Sequence, residues 1–244
     1  MKKFKYIESK YKYLLLDILK YFNASKTCLQ KERNEIKIVD FENEKINVKS
    51  FKIPNFIKKI AYTFLKDSKA KKSYNNSLRI LEFVPKPLAY IEFYKFGLLD
   101  KTYFLSEHFF YDFTIRDFLC KTSTIEKNEV FKEFAKFSFA LHNKGIYHLD
   151  FSPGNILIKK QNSKYCFKIV DINRMKFIKF DLKLRMKNFA KLWADDDDLR
   201  LLISYYAKLL GADENKCIQL ALAFSKTHKK RINFKKKLRG KNVN

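Results

Sequence analysis

Leu14, Leu15, Ile18, Leu19 and Phe22 recur at helical spacing between Tyr11 and Asn23, which predicts a one-sided helix. Over residues 27–52 the texture changes to short β-like runs, predicting three strands at 27–29, 35–40 and 45–51, parted by polar turns at 31–34 and 42–44. Pro54 ends this meander, and a basic helical stretch is predicted from Ser68 to Phe83, stopped by Pro85 and Pro87. Two further strands, 88–93 and 102–109, make the first half strand-rich. Past Tyr111 and Asp112 the pattern turns helical. Val130, Phe131, Phe134, Phe137, Phe139 and Leu141 line a long apolar helix that runs to Gly145, a residue suited to a helix C-terminus. Short strands at 155–159 and 165–170 follow, then helices that include 199–210. The pattern predicts an α+β chain of two lobes, residues 1–110 and 111–244, with a hinge at 109–113.

Charge changes this picture more than composition does. There are 52 Lys and Arg against 26 Asp and Glu, a formal charge of +26, which favours an anionic partner: nucleic acid, acidic lipid or phosphate. Lys, Asn, Phe, Ile and Tyr are together abundant, as in AT-rich coding, so the field alone names no partner. With 46% hydrophobic residues, of which 25 are Phe, the chain can build a core, and disorder over most of its length is excluded. Cys28, Cys120, Cys166 and Cys217 form no C-x-x-C pair, and the four His complete no zinc spacing; this fits a reducing compartment. Asp17 interrupts the apolar block at Leu14 to Leu16, so no secretion signal is expected, and no run of 18 apolar residues predicts a membrane span. Asp195, Asp196, Asp197 and Asp198 read as acids that complement a helix dipole. The tail 226–241 is basic without an acid, fit to grip phosphate or anionic lipid or to end in solvent.

Residues 146–158 carry the chemistry. His148, Asp150 and Asn155 stand in the form H-x-D-x-x-x-x-N, entering the apolar run Ile156-Leu157-Ile158. A carboxylate that must meet an acceptor hydroxyl, and a carboxamide five residues on that turns back toward a cation, account for that spacing. A long apolar helix leads into the loop, and the strand Phe167-Lys168-Ile169-Val170 ends in Asp171-Ile172-Asn173. Together these resemble the catalytic loop and metal-binding triplet of the protein-kinase-like superfamily. The resemblance implies a bilobal kinase-like fold, with a small β-rich N-lobe carrying an αC-like helix and a mainly helical C-lobe. It implies Asp150 as catalytic base or acceptor-orienting carboxylate, Asn155 and Asp171 as ligands of Mg²⁺, and His148 as an organiser of the backbone. Ile46-Asn47-Val48-Lys49 resembles the V-A-I-K strand, which implies Lys49 on the α- and β-phosphates of ATP, with Lys52 a nearby competitor.

The departures narrow the class. No glycine precedes Gly97, so the hairpin 31–34 is expected to meet the nucleotide through Arg33 or backbone N–H groups. No proline follows Pro153, so A-P-E is missing; Ser152 replaces the lysine common two residues after the catalytic aspartate; and 71–76 hold no acid to pair with Lys49, the nearest being Glu82. INVKSFK, FLSEHFFYDFTIRDFL, HLDFSPGNILI and KIVDINRMKF resemble bacterial lipopolysaccharide core kinases, which act on Kdo or heptose. That resemblance, over about residues 27–177, implies an ATP- and Mg²⁺-dependent kinase in the cytoplasm, peripheral on the inner face of the inner membrane. It implies a lipopolysaccharide core glycolipid as acceptor, an anionic membrane surface as partner, and no nucleic acid. An aminoglycoside-type or other small-molecule phosphotransferase, an atypical protein kinase and a pseudokinase scaffold share this machinery. A nucleic-acid-binding module would explain the charge, but the sequence has no recognition motif for one.

Overall fold

The computed structural model describes residues 1–31, 34–119, 125–162 and 164–240. It divides into two compact units: residues 1–110 with 171–173, and the described chain from Tyr111 onward apart from 171–173.

Unit 1 contains β1 (Lys2–Tyr6), α1 (Tyr11–Leu16), α2 (Ile18–Ala24), β2 (Cys28–Lys31), β3 (Glu35–Phe41), β4 (Glu44–Phe51), α3 (Phe56–Ile60), α4 (Lys69–Leu78), β5 (Pro87–Lys95) and β6 (Leu98–Glu107). The strands form one antiparallel sheet in the order β1-β5-β6-β4-β3-β2. Alternation along β4 decides what each face buries. Ile46 and Val48 join Leu14, Leu15, Ile18 and Phe22 in one core, while Phe51 packs with Ala70, Tyr74 and Tyr90 on the α4 side. Lys49 shares the parity of Phe51 and so projects on the α4 side. The helix expected over 11–23 is broken at Asp17 (φ −107°, ψ 18°) into α1 and α2. The helix expected over 68–83 is shorter: the Ser68 hydroxyl accepts from the Lys71 N–H at 3.1 Å to start α4, and 81–83 is a separate 3₁₀ turn. Two elements of this unit went unread. One is β1, five residues of which three are lysine. The other is α3, which runs on into a π-helical turn, Ala61–Leu65.

Unit 2 contains β7 (Phe113–Thr114), α5 (Ile125–Asn143), β8 (Ile146–His148), β9 (Ile156–Gln161), β10 (Lys164–Ile169), β11 (Met175–Phe177), α6 (Leu182–Phe189), α7 (Asp196–Leu210) and α8 (Glu214–Lys237). Two small sheets, β10-β9-β7 and β11-β8, flank the loop between β8 and β9. Three aspartates start α6, α7 and α8, each accepting a backbone N–H: Asp181 from Leu184 (2.7 Å), Asp195 from Asp198 (2.8 Å) and Asp213 from Lys216 (2.6 Å). Gly145 ends α5 at φ +71°, and a Cβ there would lie 2.8 Å from the Ile178 carbonyl oxygen, so the position needs glycine twice over. Among the described residues no helix is long and apolar enough to cross a membrane.

Candidate active site

Each unit carries its own set of candidate side chains. In unit 1, β4 delivers Lys49 and the segment 171–173 delivers Asp171. The Lys49 Nζ lies 3.0 Å from Asp171 Oδ1, and both side chains are largely buried. The Asn173 amide donates to the same carboxylate. Asp171 takes a left-handed backbone (φ +59°), uncommon for a non-glycine residue, which turns the chain sharply at the end of the 164–169 strand. α4 fastens this turn: the Asn76 Nδ2 donates to the Ile172 carbonyl at 2.8 Å. α4 holds no acid for Lys49, as the sequence indicates, and supplies a carboxamide to the Asp171 segment. A carboxylate oxygen beside an ammonium is the right donor chemistry for a hard cation next to phosphate.

In unit 2 the loop after β8 holds Asp150 and Asn155. His148 organises it through both ring nitrogens: Nδ1 accepts from the Asp150 N–H at 3.0 Å, and Nε2 donates to the Val170 carbonyl at 3.0 Å, which fixes the neutral tautomer. The Asn155 Nδ2 donates to the Asp150 carbonyl at 2.9 Å, leaving its carboxamide oxygen as the group fit for a cation. The Asp150 carboxylate is ion-paired with the Arg174 guanidinium and still meets solvent, so an acceptor hydroxyl can reach it. Beneath the loop, Phe151 is buried against Phe134 (5.7 Å between ring centres) and Phe189 (6.4 Å). The apolar face of α5 is therefore the bed on which the loop lies.

Several contributors were not read from the sequence. Lys191 donates to the Leu149 carbonyl; burial pushes its ammonium below the ordinary lysine value, against the pull of the Asp150 carboxylate. Arg174, immediately after the Asp171 triplet, could have been noticed by its place. Lys191, 42 residues from its partner, has no local signal. Behind the loop, the Asn188 Nδ2 donates to the His148 carbonyl at 3.1 Å while its Oδ1 accepts from His142 Nε2 at 3.1 Å. His142 Nδ1 accepts from the Tyr206 hydroxyl at 2.7 Å, and Tyr206 accepts from Arg185 at 2.8 Å. Burial holds the His142 imidazole down to about 3, so it is neutral. Arg33 lies outside the described residues. Of the acids expected on a helix dipole, Asp195 is the N-cap of α7, but Asp198 turns inward and forms a buried ion pair with Lys127 of α5. The basic tail is helical up to Lys237 within α8, with Lys229 donating to the Ala194 carbonyl at 2.6 Å and Lys236 over Trp193.

A β-rich unit carrying the lysine strand and an αC-like helix, followed by a mainly helical unit carrying the H-x-D loop, is the protein-kinase-like fold. Among solved structures the chain is similar to WaaP in complex with acyl carrier protein, at TM-score 0.59 and 12% identity, over 93% of this chain and 98% of that one. No protein-family model and no curated protein matches its sequence.

Proposed function

We propose that the chain is a kinase that transfers the γ-phosphate of ATP to a sugar hydroxyl of the lipopolysaccharide inner core, on Kdo or heptose. The observation that carries the kinase reading is the Lys49–Asp171 ion pair at 3.0 Å, which joins two residues far apart in sequence on a kinase-like fold. The acceptor rests on the sequence resemblance, supported by the likeness to WaaP over nearly the whole of both chains. Lys49 is assigned to the nucleotide phosphates, as is Arg33. Asp171 and Asn155 are assigned to Mg²⁺, which when bound neutralises phosphate charge. Asp150 orients the acceptor hydroxyl and takes its proton as the oxygen attacks. Its fixed backbone, held by His148 and Asn155, keeps the carboxylate aimed. Lys191 supplies a cation at this loop where Ser152 cannot.

The acceptor is membrane-held in this reading, and the +26 charge favours an anionic leaflet. The boundary at 110/111 is proposed as the working division between lobes. Transfer of label from γ-³²P-ATP with Mg²⁺ to purified core glycolipid, an aminoglycoside and a generic protein substrate tests the assignment. Phosphorylation of the glycolipid alone is expected. Transfer only to the aminoglycoside or the protein would replace the acceptor, and no nucleotide binding at all would leave a scaffold. WaaP was solved with acyl carrier protein, and co-purification of that protein with this chain tests whether the partner is shared.

A further inference from the structure

The segment between β4 and α4 turns its apolar side outward. Phe56, Ile60 and Phe64 follow i, i+4, i+8 spacing, with Ile57 and Leu65 beside them, so they form one stripe of the helical stretch 56–65. Such a stripe ordinarily faces a core. Here Phe56 is 68% exposed, Ile57 77%, Phe64 72% and Leu65 77%, while Ile60 and the preceding Ile53 are also exposed. The side that faces β6 is the polar one. Lys59 pairs with Asp100 at 2.6 Å, and the Thr63 hydroxyl accepts from the Leu99 N–H at 2.9 Å. These two contacts fix the rotation of the helix about its axis and hold the apolar stripe away from the sheet. The π-turn, closed by the Lys66 N–H to the Ala61 carbonyl at 2.8 Å, carries Phe64 and Leu65 at the end of the stripe.

The chemistry flanking the stripe points to what covers it. Lys52, Lys58 and Lys66 are exposed around it, and the acid next in sequence, Asp67, is neutralised by Lys71 at 2.7 Å. Contiguous exposed aromatics and branched aliphatics mark an interaction surface, and a rim of lysines on long apolar stems suits a boundary between hydrocarbon and anionic headgroups. We propose that residues 53–66 are a bilayer-docking element, whose face Phe56, Ile57, Ile60, Phe64 and Leu65 enters the headgroup region of an anionic membrane while Lys52, Lys58 and Lys66 meet lipid phosphates. This deepens the reading of a membrane-held acceptor, yet it stands on its own surface: vesicle binding reads it without any phosphoryl transfer.

The test is co-sedimentation of the full chain with vesicles of phosphatidylcholine alone and with 30 mol% phosphatidylglycerol. Binding to the anionic vesicles is expected, falling with added salt as charges are screened beyond roughly 10 Å at 0.1 M. Phe56→Ser with Phe64→Ser should lower the partition coefficient by about tenfold or more per residue, and Lys52→Gln, Lys58→Gln and Lys66→Gln should remove the salt dependence of what remains. Because these side chains are exposed, thermal unfolding of the variants should match the parent. As an independent reading, Phe56→Trp should gain fluorescence that brominated lipids quench. Vesicle binding that survives the serine substitutions and is lost with Lys235→Gln, Lys236→Gln and Lys237→Gln would move the contact to α8 and overturn the proposal. So would a concentration-dependent dimer, or capture of acyl carrier protein, that the serine substitutions abolish while vesicle binding persists.

Discussion

His142 ties acid stability to the H-x-D loop. The imidazole is 2% exposed, and its two nitrogens are committed to a donor and an acceptor, Tyr206 and Asn188. A second ring proton would point at a hydroxyl whose own proton already occupies that line, with the Arg185 guanidinium beyond it. The folded state therefore holds His142 neutral down to about 3, whereas in the unfolded chain it titrates near its ordinary 6.5. Below pH 6.5 the unfolded chain binds a proton that the folded chain refuses, so stability is full above 6.5 and is lost as pH falls toward 3. The slope approaches ~1.4 kcal/mol per pH unit, and between pH 7 and 4.5 this one group removes about 2.5 kcal/mol. Burial also lowers His108 and His228, and lysine partners lower Glu44 and Glu126, so they slope the same way and the comparison must isolate His142. Urea unfolding of the parent and His142→Gln at pH 7 and 4.5 does so. The variant starts lower at pH 7 but loses about 2.5 kcal/mol less on acidification. Because Asn188 bridges His142 to the His148 carbonyl, the protection of amides 148–155, measured against their intrinsic exchange rates at each pH, should fall in the parent at pH 4.5 before global unfolding. Equal pH dependence in the two proteins, or a directly titrated His142 near 6.5, would refute the reasoning.

Lys191→Met should lower kcat by on the order of tenfold or more while Mg-ATP affinity stays within about twofold, since Lys191 acts at Leu149 and Asp150; steady-state kinetics with the proposed glycolipid acceptor read the split. Lys127→Ala leaves Asp198 buried without its cation and should cost about 3–5 kcal/mol in urea unfolding, whereas Lys127→Met with Asp198→Leu together should recover most of it.

Contiguous signals were the legible ones. The strands 35–41 and 44–51, helix 196–210 and the loop 148–155 each announce themselves within about fifteen residues by period or motif, and the structure has them within three residues of expectation. The break between α1 and α2 was hidden because Leu14, Leu15, Ile18 and Phe22 keep one buried face on either side of Asp17. The 56–65 helix was missed although Phe56, Ile60 and Phe64 keep a helical period: the run is short, follows Pro54 and passes into a π-turn at Ala61, and the contacts that seat it, Lys59 with Asp100 and Thr63 with Leu99, are long-range. Long-range polar partners were illegible. Nothing near Asp150 names Lys191, and nothing near His148 names Asn188 and His142, because such pairs are set by how α5, α6 and α7 pack and not by spacing. The Asn76–Ile172 bond explains afterwards why an αC-like helix without an acid still serves the site.

The division of labour between the two carboxylates is the centre of the account, and one experiment reads it: nucleotide affinity and single-turnover phosphoryl transfer measured side by side for the parent, Asp150→Asn and Asp171→Ala. Asp150→Asn keeps the loop backbone and should leave Mg-ATP affinity within a few-fold while transfer falls by about 10²–10⁴-fold. Asp171→Ala, which strips the carboxylate from Lys49 and Asn173, should abolish the Mg²⁺ dependence of nucleotide binding together with transfer. Transfer near the parent rate in both variants, or an equal loss of affinity in both with no separate loss of turnover, would contradict the assignment.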